Sequence, residues 1–305
     1  ILNGFTSGYG QLAIIIPLLL AAPRWFAKEV QVGWIMQVSN AFGQVQGAMS
    51  YFVDAYTTIA QWCSVVRRLD GFNRHVGEAL DLKSDLMIDN ASNITVGIEN
   101  VDVFLPNKNK DILIKDCTID LMKYQSLLIM GASGVGKSTL LRTLAGLWPY
   151  AKGNVYLPKE EEFLFLPQRP YLPLGSLRQA ISYPVVEEVI SEKYSDEEIK
   201  EILIACKLEN LADKLDIVDD WSRILSLGEQ QRIAFVRILL YRPEFVFLDE
   251  ATSALDEDLE GNLYDMLKIH LPNTKIISIA HRSSLIAKHQ AILRLKEKGC
   301  WEIHE

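Results

Sequence analysis

The chain opens with two long stretches in which charge is missing rather than patterned. Residues 1–23 and 30–53 are uncharged, and each is about as long as a bilayer-spanning helix must be. The short polar break Pro23-Arg24-Trp25-Phe26-Ala27-Lys28-Glu29 separates them and offers an aromatic for an interface. In the second stretch Ser39, Gly43, Gln46, Ser50, Asp54, Thr57 and Gln61 recur at near-helical spacing and predict one polar stripe. Such a stripe suits a bundle interior or a water-filled path, a reading preferred over a soluble amphipathic helix packed on one side because the apolar segment before it has no obvious soluble role. The helical pattern runs to Arg67-Arg68-Leu69-Asp70-Gly71, where Gly71 is its expected end, and Arg67, Arg68 and Arg74 mark that end as cytoplasmic. Residues 73–93 read as a linker. Alternation in Ile94–Ile98 and Ile112–Lys115 then predicts strands. Ser195 with Glu198 predicts a capped helix whose Ile199, Ile202, Leu203 and Cys206 share a face, inside a helical subdomain of about 170–240.

Charge sharpens this division. The net charge of −8 is concentrated in residues 185–220, which read as a solvated helical face. No basic stripe follows the chain, so the surface of a nucleic-acid binder is missing. Cys63, Cys117, Cys206 and Cys300 are scattered, as in a reducing compartment, and form neither a disulfide frame nor a zinc motif. The first residue is Ile1, which suggests a fragment of a longer chain.

The chemistry begins at Gly131-Ala132-Ser133-Gly134-Val135-Gly136-Lys137-Ser138-Thr139, set between an apolar strand (126–130) and a helical run (139–147). This is a P-loop. Its backbone N–H groups curl around a polyphosphate, Lys137 reaches the outer phosphates and Ser138 offers its hydroxyl to Mg²⁺. Further on, the apolar run Phe245–Leu248 delivers Asp249 and Glu250 at a strand's carboxyl end. Asp249 is expected in the Mg²⁺ shell and Glu250 beside the attacking water. Gln168, after Phe163–Phe165, is placed to ligate Mg²⁺ and sense the γ-phosphate. His281, after Lys275–Ser278, is placed to hydrogen-bond that phosphate. Ser226 and Glu229 form a capping-box pattern whose outward N–H groups make a second anion site.

In this order the motifs over residues 94–305 resemble the ATP-binding cassette (ABC) transporter family. The resemblance implies an α/β P-loop NTPase cassette, with a mixed sheet core and a helical subdomain, preceded by transmembrane helices. It implies Walker A at 131–138, a Q-loop at Gln168, a signature at Leu225–Glu229 including Gly228, and Walker B at Phe245–Asp249. It also implies a catalytic Glu250, a D-loop ending at Asp256 and a switch histidine at His281. The phrases Ala145–Tyr150 and Pro167–Arg178 are similar to those of half-transporters of the peroxisomal fatty-acyl type and bacterial relatives with a peptide-uptake-like membrane domain. By that likeness residues 1–72 are the last two membrane helices. Three departures stand out: Leu227 and Tyr124 replace usual glycines, and only Phe104 and Leu105 lie near the expected adenine-stacking position.

The implied function is that of an ATP-hydrolysing subunit that couples cassette dimerisation to transport. ATP and Mg²⁺ are its cofactors. A second half-transporter in head-to-tail contact, membrane lipid and a transported substrate are its partners. The cassette is expected on the cytoplasmic side of an inner or plasma membrane. A soluble ATPase of the same class and a non-hydrolysing regulatory cassette are the alternatives. The uncharged stretches speak against the first, and Lys137, Asp249, Glu250 and His281 against the second.

Overall fold

The structure is a computed structural model that describes residues 15–80, 85–89, 96–106, 111–159 and 162–305. The chain divides into two compact units, Ile1–Leu82 and Lys83–Glu305.

In the N-terminal unit the described elements are α1 (residues 15–26) and α2 (Val32–Leu80). Helix α2 runs straight through Gly71. One interior glycine costs a helix only about 1 kcal/mol, too little to end it there. The expected linker 73–93 is therefore corrected: its first residues belong to α2, and Asp85–Asp89 is a strand of the second unit. Residues 81–84 and 90–93, like Ile94 and Thr95 of the expected strand, lie outside the described residues. Among described helices none is long and apolar enough to cross a membrane. The glutamines and serines of α2 dilute its apolar surface across the span expected over 30–53, and residues 1–14 of the other expected span lie outside the described residues. Ser39, Gln46 and Ser50 are half-buried, as are Ile35 and Val38, whereas Met36, Val45, Met49 and Tyr51 are exposed. Gly43, Thr57 and Gln61 are exposed too, and the side chain of Asp54 lies outside the described residues.

The second unit is built on two sheets. Strands β1 (Asp85–Asp89), β2 (Gly97–Phe104), β3 (Ile112–Asp120) and β4 (Ser126–Gly131) precede α3 (Lys137–Leu144), and β5 (Ala151–Tyr156) and β6 (Phe163–Leu166) follow. The helical subdomain comprises the short hairpin of β7 (Gly175–Ser176) and β8 (Val218–Asp219) together with α4 (Leu177–Ser182), α5 (Glu187–Lys193), α6 (Asp196–Ala205), α7 (Trp221–Ile224) and α8 (Leu227–Tyr241). The core then resumes with β9 (Phe245–Asp249), α9 (Glu257–His270), β10 (Lys275–Ile279), β11 (Ala291–Leu295) and β12 (Trp301–His304). Strand order is β1-β5-β2-β3 in one sheet and β12-β11-β4-β10-β9-β6 in the other. In the larger sheet only the β11–β12 pair is antiparallel.

Alternation along the central strands divides the core. Leu127, Ile129, Phe245, Phe247, Ile277 and Ile279 pack on one face with the smaller sheet and α3. Leu128, Val246, Leu248 and Ile276 pack on the other with the helical subdomain and α9. Covered on both faces, β9 is buried throughout, as a parallel strand between layers must be. The box of Ser195 and Glu198 caps α6 as expected, with Ile199, Leu203 and Cys206 buried and Ile202 packed at the cluster's edge.

Behind this sheet His289 Nδ1 donates to Leu285 O (2.8 Å), which leaves Nε2 to accept from Ser278 Oγ (3.1 Å). Burial lowers its pKa from 6.5 to about 4, although the bond to Leu285 acts the other way. The unfolded chain thus binds a proton in a window where the fold does not. Stability is complete above pH 6.5 and falls as pH drops towards 4, by about 3 kcal/mol for this group. The protein carrying His289→Gln should show a flatter melting temperature of the second unit between pH 6.5 and 4.5 than the parent. Equal pH slopes in the two would contradict the buried, neutral imidazole.

Candidate functional site

Four adjacent parallel strands place the site. The registers β6–β9 (Leu166↔Leu248), β9–β10 (Asp249↔Ile279) and β10–β4 (Ile279↔Ile129) bring their carboxyl ends to one edge. The loops leaving that edge carry Gln168, Asp249 with Glu250, His281 and the P-loop.

The P-loop turns tightly from β4 into α3. A Cβ on Gly131 (φ 155°) would lie 2.6 Å from Leu295 O, and Gly136 (φ 104°) caps α3 in the left-handed region. Both positions therefore require glycine. Helix α3 ends at Leu144, three residues before the expected limit, where the Leu147 N–H bonds back to Arg142 O (2.7 Å). Ala132, Ser133, Gly134 and Val135 line a cavity of about 300 Å³ with Ile112 and Leu113. Phe104 and Leu105, the expected stacking candidates, are not among its walls; the Phe104 carbonyl instead accepts from Trp148 Nε1 (3.1 Å).

Lys137 is buried, and its ammonium donates to Gly131 O and Ala132 O, both at 3.0 Å. Burial lowers its pKa, while Glu250 and Asp249 act against that. Ser138 Oγ donates to Asp249 Oδ1 (2.7 Å), and Arg142 reaches Asp249 Oδ2 at 3.4 Å. Asp249 is 4 % exposed, so its charge is held by these two contacts. Thr139 follows on α3, and its carbonyl accepts from Thr143 Oγ1 (2.8 Å).

The backbone of Glu250 takes φ 51°, the left-handed region that costs a non-glycine residue about 1 kcal/mol or more. Its turn closes through Ser253 N–H to Glu250 O (3.1 Å). The carboxylate is bracketed: Gln168 Nε2 donates to Oε2 (3.1 Å), and His281 Nε2 lies 2.9 Å from Oε1. Three residues expected to share a site from 82 and 31 positions apart do meet on one carboxylate. Gln168, expected at a metal, is here a donor to Glu250.

Ser226 and Glu229 cap α8 as expected. The Ser226 hydroxyl and N–H donate to Glu229 Oε2 (2.8 and 3.0 Å), and Asn210 donates to Oε1 (3.3 Å). Burial opposes it, yet the two Ser226 donors and Asn210 hold the Glu229 carboxyl below the usual range. Leu227 is the first residue of α8 and exposed, so its right-handed helical backbone needs no glycine. Tyr124 is equally free of that need, with φ −117°. Gly228 packs close: an added Cβ would meet Ala254 O at 3.3 Å. Asp256, expected at the nucleotide through the D-loop, serves as the N-cap of α9 and accepts from Leu259 N–H (2.8 Å).

The site therefore comprises a phosphate cradle at a helix N-terminus, a hydroxyl–carboxylate pair of hard oxygens and a bracketed acid, all on one sheet edge. Among the described residues no group of three or more His, Cys, Asp and Glu could hold a metal ion alone. The pair Ser138 and Asp249 fits an Mg²⁺ that completes its shell with phosphate oxygens and water.

This is the fold and site of a P-loop nucleotide-binding domain. Residues 114–253 match the ABC transporter family, and residues 2–77 match the SbmA/BacA-like family. The cassette belongs to the ABC transporter family and is an ATP-binding domain. An ABC transporter ATP-binding protein of Haemophilus influenzae is 41 % identical over 301 residues, covering 99 % of this chain and 49 % of that protein. A second, from Synechocystis, is 36 % identical over 310 residues, covering 98 % and 46 %. ABC transporter D family member 2, chloroplastic, of Arabidopsis thaliana is 34 % identical over 361 residues, covering 96 % and 51 %. The chain thus spans about half the length of the curated relatives it matches.

Sequence reasoning passed over Gln231. It is fully buried, and its amide joins the carbonyl of Gln168 to Ser253 and Ala254. Its one sequence signal was a glutamine on the inner face of the capped helix.

The need for glycine at position 131 is directly testable. Gly131→Ala should destabilise the cassette by about 2 kcal/mol, lowering its melting temperature by about 4–8 °C, and weaken ATP binding at least about tenfold. A variant that melts and binds like the parent would contradict the close approach to Leu295.

Proposed function

We propose that the chain is the ATP-hydrolysing part of a membrane transporter that works as a head-to-tail pair of cassettes. The observation that carries this reading is the Glu250 carboxylate, fixed between Gln168 and His281 one residue beyond the Asp249–Ser138 pair.

Lys137 exchanges its two loop carbonyls for the β- and γ-phosphates. The positive charge that burial penalises thereby gains the anion it was placed for. Ser138 and Asp249 would hold Mg²⁺, which supplies neutralising charge to the phosphates. Glu250 orients a water in line with the γ-phosphorus. As the water oxygen bonds to phosphorus and the bond to the ADP oxygen breaks, the carboxylate accepts the water's proton. His281 and Gln168, relieved of Glu250, turn to the γ-phosphate. The cost of holding Glu250 in a left-handed turn is consistent with a role that demands placement.

Ser226, Gly228 and Glu229 crown the N-terminus of α8, where the Ser226 and Glu229 N–H groups close the capping box and those of Leu227 and Gly228 stand outside it, suited to the nucleotide of a second copy. Asp256, capping α9 just beyond the Gly228–Ala254 contact, suits the same interface.

The membrane part of the reading rests on α2 and on the SbmA/BacA-like match. On α2 Met36, Val45 and Met49 are exposed together with Gln37, Asn40 and Gln44, while Ser39, Gln46 and Ser50 are half-buried. The half-buried polar residues suit a polar path within a bundle, with Met36, Val45 and Met49 towards lipid. The cassette would then lie on the cytoplasmic side, the side that the charges of Arg67, Arg68 and Arg74 mark.

Glu250→Gln should slow ATP turnover by at least about a hundredfold while nucleotide affinity stays within about threefold, because the amide cannot take the proton. Near-parental phosphate release would remove Glu250 from this role. For the membrane reading, cysteines at Ser39, Gln46 and Ser50 should react with a water-soluble maleimide in lipid nanodiscs. Cysteines at Met36, Val45 and Met49 should be shielded. Equal labelling of both sets would leave α2 outside the bilayer and favour a soluble ATPase.

A further inference from the structure

The side chain of Gln231 has no place in the phosphate cradle, yet it is 0 % exposed and uses both ends of its amide. Its Nε2 donates to the Gln168 carbonyl (2.9 Å) and to Ser253 Oγ (3.1 Å). Its Oε1 accepts from the Ala254 N–H (2.9 Å). The partners sit on two loops, one leaving β6 and one leaving β9. Those loops hold Glu250 from opposite directions. The side chain of Gln168 donates to the Glu250 carboxylate, and the Ser253 N–H closes the left-handed turn at the Glu250 carbonyl. One buried amide therefore fixes the spacing between the turn that carries Glu250 and the loop that carries Gln168.

A second side chain of α8 secures the far end of the Gln168 loop. Arg237, 3 % exposed, donates to Tyr171 O (2.7 Å) and to Ala180 O (2.6 and 3.1 Å). Residues 168 and 171 are thus gripped from a single helix, whose N-terminus is capped by Ser226. A buried amide that makes all these bonds is rigid, because breaking one leaves a desolvated carbonyl or N–H unpaired.

We infer that Gln231 is a positioning residue for hydrolysis: it locks the Gln168 loop and the turn after Glu250 to α8, so that Glu250 meets the water in one geometry. This rests on the reading of Glu250 as the group that takes the water's proton. Gln231 lies outside the residues assigned above to nucleotide and water. Its effect should fall on turnover and spare ATP affinity.

The test uses the membrane-reconstituted protein with two substitutions. Gln231→Met keeps the length of the side chain and removes every bond. Gln231→Asn keeps a buried amide and withdraws it by one carbon–carbon bond, about 1.5 Å. Each should lower kcat for ATP at least about tenfold and leave KM and fluorescent-ATP affinity within about threefold. Gln231→Met added to Glu250→Gln should slow turnover little beyond Glu250→Gln alone, because Gln231 acts through Glu250. Turnover within about twofold of the parent in a folded variant would overturn the inference, as would losses that simply multiply in the double variant. Failure of both substitutions to yield a folded, nucleotide-binding protein would also overturn it, since Gln231 would then belong to the fold alone. A parent with no ATPase activity, or one indifferent to Glu250→Gln, would instead strike the underlying reading of Glu250.

Discussion

The parallel alignment of β6, β9, β10 and β4 is the constraint on which the site depends. Each strand feeds its next loop over the same edge, so groups from four separate parts of the chain converge without any strand bending towards another. The alternation that buries Phe245 and Phe247 on one face and Val246 and Leu248 on the other fixes the register. A slip of one residue would turn these side chains over and carry Asp249 away from Ser138.

Upon that scaffold the polar groups satisfy one another. Lys137 rests on the carbonyls of its own loop, Ser138 on Asp249, and Glu250 between an amide and an imidazole. Among the described residues Lys137, Asp249 and Glu250 each have a partner at this edge, as charges drawn away from water need. Every one of these bonds is also of a kind that a polyphosphate, a hard cation and a water can replace with stronger, charge-assisted ones. The site is preorganised in position but committed to internal partners, and on the proposed reading nucleotide binding would be an exchange of partners on a fixed frame. Gln231 and Arg237 keep that frame in register with α8.

What could be read from the sequence was local. A P-loop, an apolar run ending in Asp249-Glu250 and the Ser195 and Ser226 boxes each declare themselves within a few residues, because one turn of backbone dictates the residue types. The reach of Gln231 was not legible, since its partners lie 63 and 22 positions away and only the fold unites them. Strand β1 was hidden inside an apparent linker because a single residue, Leu86, points into the core and its neighbours are exposed. Gly71 misled for a related reason, its local cost being outweighed by the rest of a long helix. The uncharged stretch over 30–53 gave the right absence of charge and the wrong hydropathy, since glutamine and serine carry none yet are far from apolar.

The central claim is that nucleotide replaces the internal partners of Lys137, Ser138 and Glu250 between two copies of the cassette. A cryo-electron microscopy structure of the Glu250→Gln protein with Mg²⁺ and ATP tests it most directly. The account predicts ATP on the P-loop with Lys137 withdrawn from Gly131 O and Ala132 O. It also predicts Ser138 parted from Asp249, Gln168 and His281 turned from residue 250, and Ser226 of a second copy against the phosphates. Nucleotide bound with all of these contacts intact, or bound away from residues 131–139, would contradict it.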